Sequence, residues 1–151
     1  MQKVVCTNRT AFRDFHIEEK FETGIELKGS EVKSLRLSQA SLKESFGMVR
    51  DGQVYLINSY IAPYVEANNF NHNPKRERKL LMHRKEINRL ITKSQAKGYT
   101  LVPLKIYFSK KYAKLELGLG KGKKNIDKRE DIKRKDAERE MERAIKNKRY
   151  N

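Results

Sequence analysis

Two runs of sequence decide how this chain folds: Val102-Pro103-Leu104-Lys105-Ile106-Tyr107-Phe108 and Ala113-Lys114-Leu115-Glu116-Leu117-Gly118-Leu119. Alternate side chains of an extended strand share a face. The first run therefore places Val102, Leu104, Ile106 and Phe108 on one side. The second does the same with Ala113, Leu115, Leu117 and Leu119, and Lys110-Lys111 makes the turn between them. Pro103 cannot donate to a ladder, which predicts an edge strand or a strand start there.

Further strands are read outward from this hairpin. Phe12–Ile17 and Phe21–Leu27 are aromatic and β-branched with interspersed charges. Phe46–Arg50 and Gln53–Ile61 flank Asp51-Gly52, a hairpin turn signal. Two helices interrupt the strands. Ser30 is placed to cap a short one over 31–36, and a second runs from about Arg84 to Lys97 and stops at Gly98, with Ile87, Leu90 and Ile91 turned inward. Residues 66–74 are too polar for core and read as a loop, in which Phe70 stands out as an exposed aromatic. About six short strands with an inserted helix predict a mainly β fold with short helices, an oligonucleotide-binding (OB)-like six-stranded antiparallel β-barrel.

Charge divides the chain. Of 151 residues, 35 are Lys or Arg and 19 are Asp or Glu, a net +16. Residues 1–120 carry the apolar positions and a net +10; residues 121–151 nearly lack apolar residues and carry +6. The boundary falls at Gly118, Gly120 and Gly122, giving a body over 1–120 and a basic tail over 121–151. In the tail, Asp131 with Lys135 and Glu142 with Lys146 are favourable i,i+4 helix pairs, and Ile132, Met141 and Ile145 form a thin apolar stripe. So little apolar surface predicts a tail disordered when free and helical on a polyanion.

Several classes of function are disfavoured. One cysteine, Cys6, allows no internal disulfide or multi-cysteine metal site and suits a reducing, cytoplasmic compartment. No run approaches the length of a membrane span, and the N-terminus has no apolar leader core. His16, His72 and His83 lack metal-ligand spacing, and the Gly118–Lys124 segment lacks the P-loop pattern. Neither a metal, a cofactor nor an enzymatic centre is expected. The basic run Lys75-Arg76-Glu77-Arg78-Lys79, with Arg84, Lys85, Arg89, Lys93 and Lys97 after it, can neutralise phosphates and release counterions, which points to RNA. Composition leaves three RNA partners of different class open: an adaptor, a ribosomal-type structural protein, and a small RNA-processing enzyme.

Longer motifs narrow the choice. Gly24-Ile25-Glu26-Leu27-Lys28-Gly29-Ser30-Glu31-Val32-Lys33-Ser34-Leu35-Arg36, then Arg78-Lys79-Leu80-Leu81 with Glu86-Ile87, then Val102-Pro103-Leu104, and Gly120-Lys121-Gly122-Lys123-Lys124 with Asp127-Lys128-Arg129 occur in one order. Over essentially its whole length the chain resembles the SmpB family of bacterial SsrA-binding proteins. The resemblance implies an OB-like barrel and a monomeric adaptor for trans-translation. Such an adaptor binds the tRNA-like end of transfer-messenger RNA (tmRNA), supports its alanylation, and brings it with elongation factor Tu and GTP to the A site of ribosomes stalled on mRNA without a stop codon. It implies tmRNA contacts at Glu22, Leu81 and Lys114. Asn8, Arg9, Lys33, Arg36, Arg76, Arg78 and Lys79 are further candidates, chosen for charge or polarity near these motifs. It also implies that Asp127, Lys128 and Arg129, led by Gly122, Lys123 and Lys124, act against small-subunit rRNA in the decoding centre, with the tail sensing an empty mRNA channel. Ile126 stands where a His or aromatic residue is expected in many relatives, so apolar packing replaces ring stacking there.

Overall fold

The computed structural model describes residues 2–96, 98–123 and 125–150. Its elements in chain order are strand β1 (Gln2–Thr7), helix α1 (Ala11–Asp14), β2 (Phe15–Ile25), α2 (Gly29–Arg36), β3 (Ala40–Ser41), β4 (Phe46–Arg50), β5 (Gln53–Ile57), β6 (Tyr60–Ile61), a 3-10 turn (Val65–Phe70), β7 (Arg78–Leu81), α3 (Arg84–Ser94), β8 (Tyr99–Ser109), β9 (Tyr112–Gly122) and α4 (Asn125–Tyr150). The fold is mainly β with short helices and one long C-terminal helix. Among the described residues, six antiparallel strands follow the order β8-β4-β5-β7-β2-β9, and β9 pairs back onto β8, so the ladder closes into a ring. This is the six-strand closure expected of the sequence. β1 adds to it along β8, and β3 with β6 forms a separate short ladder.

The two long strands of the opening motif behave differently. On β9, Leu115, Leu117 and Leu119 all enter the main core, as their alternation predicts. On β8 the register shifts between Pro103 and Lys105. An extra residue in one strand moves the following side chains to the other face. Ile106 consequently joins the main core, whereas Val102 and Leu104 pack in a second cluster with Ala11, Phe15 and Ile17. The single apolar face expected for Val102 through Phe108 is thus split in two. Pro103 lies at this bulge in a strand paired on both sides, and not at an edge or a strand start.

Other local expectations are adjusted in the same way. The strand expected from Phe12 opens as the four-residue helix α1, with Asp14 N–H donating to the Thr10 carbonyl at 2.9 Å. Asp51 (φ 52°) and Gly52 (φ 72°) take the left-handed conformations of a two-residue hairpin turn. Ser30 does not cap α2. It sits inside the first turn, and the backbone N–H of Lys28 donates to Glu31 Oε1 at 2.9 Å. Helix α3 buries Ile87 and Leu90, and two of its cations, Arg89 and Lys93, reach Glu19 beside a bulge in β2.

The glycines at the body–tail boundary belong to the sheet. A Cβ on Gly120 would lie 2.7 Å from the His16 carbonyl oxygen, so the close approach of β2 and β9 requires its absence. Strand β9 continues to Gly122, and Lys123 N–H donates to the Asp14 carbonyl at 2.8 Å. The tail is helix over Asn125–Tyr150.

Candidate RNA interface

Strands β7, β2 and β9 lie side by side, and one row across them brings the three leading candidates together. Gly24 of β2 is register partner both to Leu81 on β7 and to Lys114 on β9. Register partners share a face, and residues i and i+2 of a strand do too. Leu81, Gly24, Lys114 and Glu22 therefore crowd one outer patch of the ring. Ninety-two positions separate Glu22 from Lys114 in sequence, yet Lys114 Nζ donates to Glu22 Oε1 at 2.8 Å. Leu81 is 50% exposed, standing as an apolar knob beside this ion pair. Gly24 keeps the middle of the row bare; a Cβ there would lie 3.2 Å from the Leu81 Cβ.

The Lys114 ammonium first, and then the Tyr107 hydroxyl, hold the Glu22 carboxyl below its ordinary pKa. The patch therefore presents a fixed anion, a cation and an apolar knob together. A carboxylate accepts from base amino groups or a 2′-hydroxyl, a lysine binds phosphate, and an exposed leucine packs on a base or sugar. A hollow of about 450 Å³ lined by Glu22, Gly24, Leu81, Met82, His83, Glu86 and Lys114 adjoins the patch.

The remaining candidates scatter. Lys79 shares the Leu81 side of β7 and is half-buried. Lys33 and Arg36 are exposed on α2, with Lys33 Nζ 5.4 Å from the centre of the Tyr64 ring. Arg9 is exposed just past β1, whereas Asn8 is partly buried and donates its amide to the Pro103 carbonyl at 2.9 Å. Phe70 closes the 3-10 turn, and its side chain lies outside the described residues.

Arg78 is corrected from an RNA contact to an internal one. It is fully buried, and its donors are spent on Glu31 Oε2, the Ser59 carbonyl and hydroxyl, and the Pro74 carbonyl. Arg76 joins it, with Nη2 2.5 Å from Glu31 Oε1 and 3.1 Å from the Glu26 carbonyl. Burial alone would raise the Glu31 pKa. The Arg76 hydrogen bond, the Lys28 N–H and the Arg78 charge outweigh it and hold the carboxyl below its ordinary value. Beside this triad His72 is buried, with Nδ1 2.8 Å from Ser30 Oγ and Nε2 2.9 Å from the Ile61 carbonyl. A carbonyl only accepts, so Nε2 carries the proton. Among the described residues no group of His, Cys, Asp and Glu has the arrangement of a metal site, and no helix is long and apolar enough to cross a membrane. Cys6 is partly buried, which pushes its thiol up to about 11 and away from thiolate chemistry.

In the tail, Gly122 ends β9, and Ile126, Asp127, Lys128 and Arg129 fall in the opening turns of α4, with Arg129 exposed. Lys124, and the side chains of 126–128, lie outside the described residues. Helical geometry revises the apolar stripe. Ile132 and Met141 are nine residues apart, about two and a half turns, so they point to opposite sides. Lys135, Arg139, Arg143 and Lys146 instead form an exposed cationic ridge at helical spacing.

Comparison with known proteins settles the family. A model of the SmpB protein family matches residues 5–147. The chain belongs to the SmpB family. Its relatives include the SsrA-binding protein of Carboxydothermus hydrogenoformans, 55% identical with 97% of this chain and 98% of that one covered. The SsrA-binding protein of Bacillus subtilis is 56% identical over 95% and 92% of the two chains. Among solved structures, a chain of the assembly described as "tmRNA-SmpB: a journey to the center of the bacterial ribosome" superposes with a TM-score of 0.68 at 48% identity, covering 84% of this chain and 93% of that one.

Proposed function

We propose that this protein is a tmRNA-binding adaptor for trans-translation. Its outer patch of Glu22, Leu81 and Lys114 holds the tRNA-like domain of tmRNA, keeps that domain in a form that is charged with alanine, and delivers it with elongation factor Tu and GTP to the A site of a ribosome stalled on mRNA without a stop codon. Residues 1–120 carry the RNA grip. Residues 121–151 enter the decoding centre and empty mRNA channel, where the ridge of Lys135, Arg139, Arg143 and Lys146 meets rRNA phosphates. The chain positions RNA and leaves bond chemistry to its partners. It acts in the cytoplasm as a monomer, without metal or cofactor.

The observation that carries this reading is the row Leu81–Gly24–Lys114 with Glu22 beside it, three chemistries suited to RNA gathered from distant parts of the sequence on one exposed face. Family membership with SsrA-binding proteins supports it. The test is to sequence RNA recovered with the chain from native bacterial extract and to compare the full chain with one ending after Gly120 in a reconstituted tagging system. One dominant tmRNA, with RNA affinity kept and tagging lost on truncation, is the expected result. Stoichiometric recovery with whole ribosomal subunits and no tmRNA, or normal tagging by the truncated chain, overturns it.

A further inference from the structure

β2 and β9 separate just beyond the row described above. The Gly24–Lys114 pair is the last between them, and Ile25 pairs with Leu80 of β7 instead. β9 extends two residues further, to Tyr112 at the β8–β9 turn. The gap is a hollow of about 460 Å³, with Ile25, Leu27, Val32 and Leu81 supplying apolar wall. Lys111, Lys114 and Tyr112 line it too, and Tyr112 is 71% exposed. Tyr112 shares the outer face of β9 with Lys114, two residues away.

Tyr112 thus presents an open aromatic face beside an apolar recess rimmed by two lysines. The chemistry fits one kind of guest: a flat apolar face with a phosphate on each side of it. We infer that this hollow is a nucleotide subsite that takes a single unpaired base out of its stack. The base lies against the Tyr112 ring and the Leu81 side chain while Lys111 and Lys114 hold the flanking phosphates. The site rests on the proposed tmRNA-binding function and adds to it a place where one unpaired nucleotide of the bound RNA is read by shape. A paired base is excluded, because its face is covered by its neighbours in the helix. The net charge of +16 brings the RNA to this surface, but the recess itself selects for an unstacked base.

Abasic scanning tests this with the full-length chain and a synthetic tRNA-like domain of tmRNA. Each unpaired nucleotide is replaced in turn by an abasic residue, and affinity is measured for the wild type, Tyr112→Ala and Tyr112→Phe. Loss of one aromatic–base stack lowers affinity roughly tenfold. One abasic position is expected to weaken wild-type binding by about that factor and to weaken Tyr112→Ala much less, since only the Leu81 contact is then left to lose. Tyr112→Phe keeps the wild-type response. The slope of affinity against salt stays unchanged in Tyr112→Ala, because stacking releases no counterions, and becomes shallower in Lys111→Ala. The inference is overturned if Tyr112→Ala binds as the wild type does, or if no abasic position couples to Tyr112. Failure of the wild type to prefer the tRNA-like domain over random RNA of equal length overturns the functional reading instead, so the two failures are distinguishable.

Discussion

Replacing Arg78 by alanine separates a residue that builds the fold from one that grips RNA. In the native chain the Arg78 guanidinium neutralises Glu31, which is fully buried, and also satisfies the Ser59 and Pro74 carbonyls. Truncation leaves a buried carboxylate that retains Arg76 and the Lys28 N–H, strands two carbonyls, and empties a large side-chain volume. Breaking a buried ion pair by removing one partner costs about 3–5 kcal/mol. The surviving Arg76 contact places this case toward the lower end. A domain with about 5–15 kcal/mol in hand remains folded, with its urea midpoint lowered by roughly 1–3 M at the slopes usual for small proteins. The measurement is urea unfolding followed by far-ultraviolet circular dichroism. It is paired with RNA binding over a salt series under folding conditions. The double variant Glu31→Gln/Arg78→Met recovers part of the loss, because no fully buried charge is then left without its partner, and the partly exposed Arg76 keeps the Glu26 carbonyl. The salt slope of Arg78→Ala matches wild type, whereas loss of one phosphate contact reduces it by about 0.7–0.9. An unchanged urea midpoint together with a reduced slope would refute the reasoning and return Arg78 to the RNA-facing surface.

Three other outcomes follow from the same geometry. The Glu31 pKa is depressed in the fold, so its contribution is fully present above the unfolded carboxylate pKa and is lost as pH falls through the lower folded value; Glu31→Gln should flatten the decline of the urea midpoint below about pH 4.3, and a parallel decline in both proteins would contradict this. Leu81→Ala removes a half-exposed knob, so stability changes by less than about 1 kcal/mol while affinity for the tRNA-like domain falls several-fold in a filter-binding assay; a large stability loss would mean that Leu81 is core. Gly120→Ala forces a Cβ to within 2.7 Å of the His16 carbonyl oxygen and should cost about 1–3 kcal/mol by crowding in thermal unfolding, whereas an unchanged melting temperature would show the glycine to be a hinge.

Much of the fold was legible from residue patterns because the core is written in alternation. Leu115, Leu117 and Leu119 were placed correctly by period alone, and Asp51-Gly52 announced its turn. The bulge at Pro103–Lys105 was not legible. A register shift depends on what lies in the neighbouring strand, and Val102, Leu104 and Ile106 look alike whichever core they enter. The same limit governs charge. Arg76, Arg78 and Lys79 form one basic run, but which of them turns inward is decided by Glu31, 47 positions from Arg78. Glu31 sits inside the Gly24–Arg36 motif, and its carboxylate beside apolar Val32 and Leu35 is the available signal that it turns inward. For the interface, Glu22, Leu81 and Lys114 came from family resemblance, not from any pattern that joins them. The residue missed was Gly24, whose place inside a strand-like run was the clue to a bare spot on the sheet. Tyr112 was missed because an aromatic at the head of a strand reads as core until its exposure is seen.

β9 passes the patch at Lys114 and ends at Gly122, where the helical tail departs. Eight residues of hydrogen-bonded strand separate these points, about 26 Å at the usual rise. Both neighbours, β2 and β8, brace that span along most of its length. The protein thus works as a gauge block, with whatever seats on one end held at a set offset from the root of the appendage at the other. Lengthening the block by about 7 Å takes two more residues in β9 and in both of its neighbours, whereas one extra residue in a single strand is absorbed as a bulge, as β2 and β8 each show. The spacing is therefore set by three strands together, and a change in one of them alone leaves it where it was.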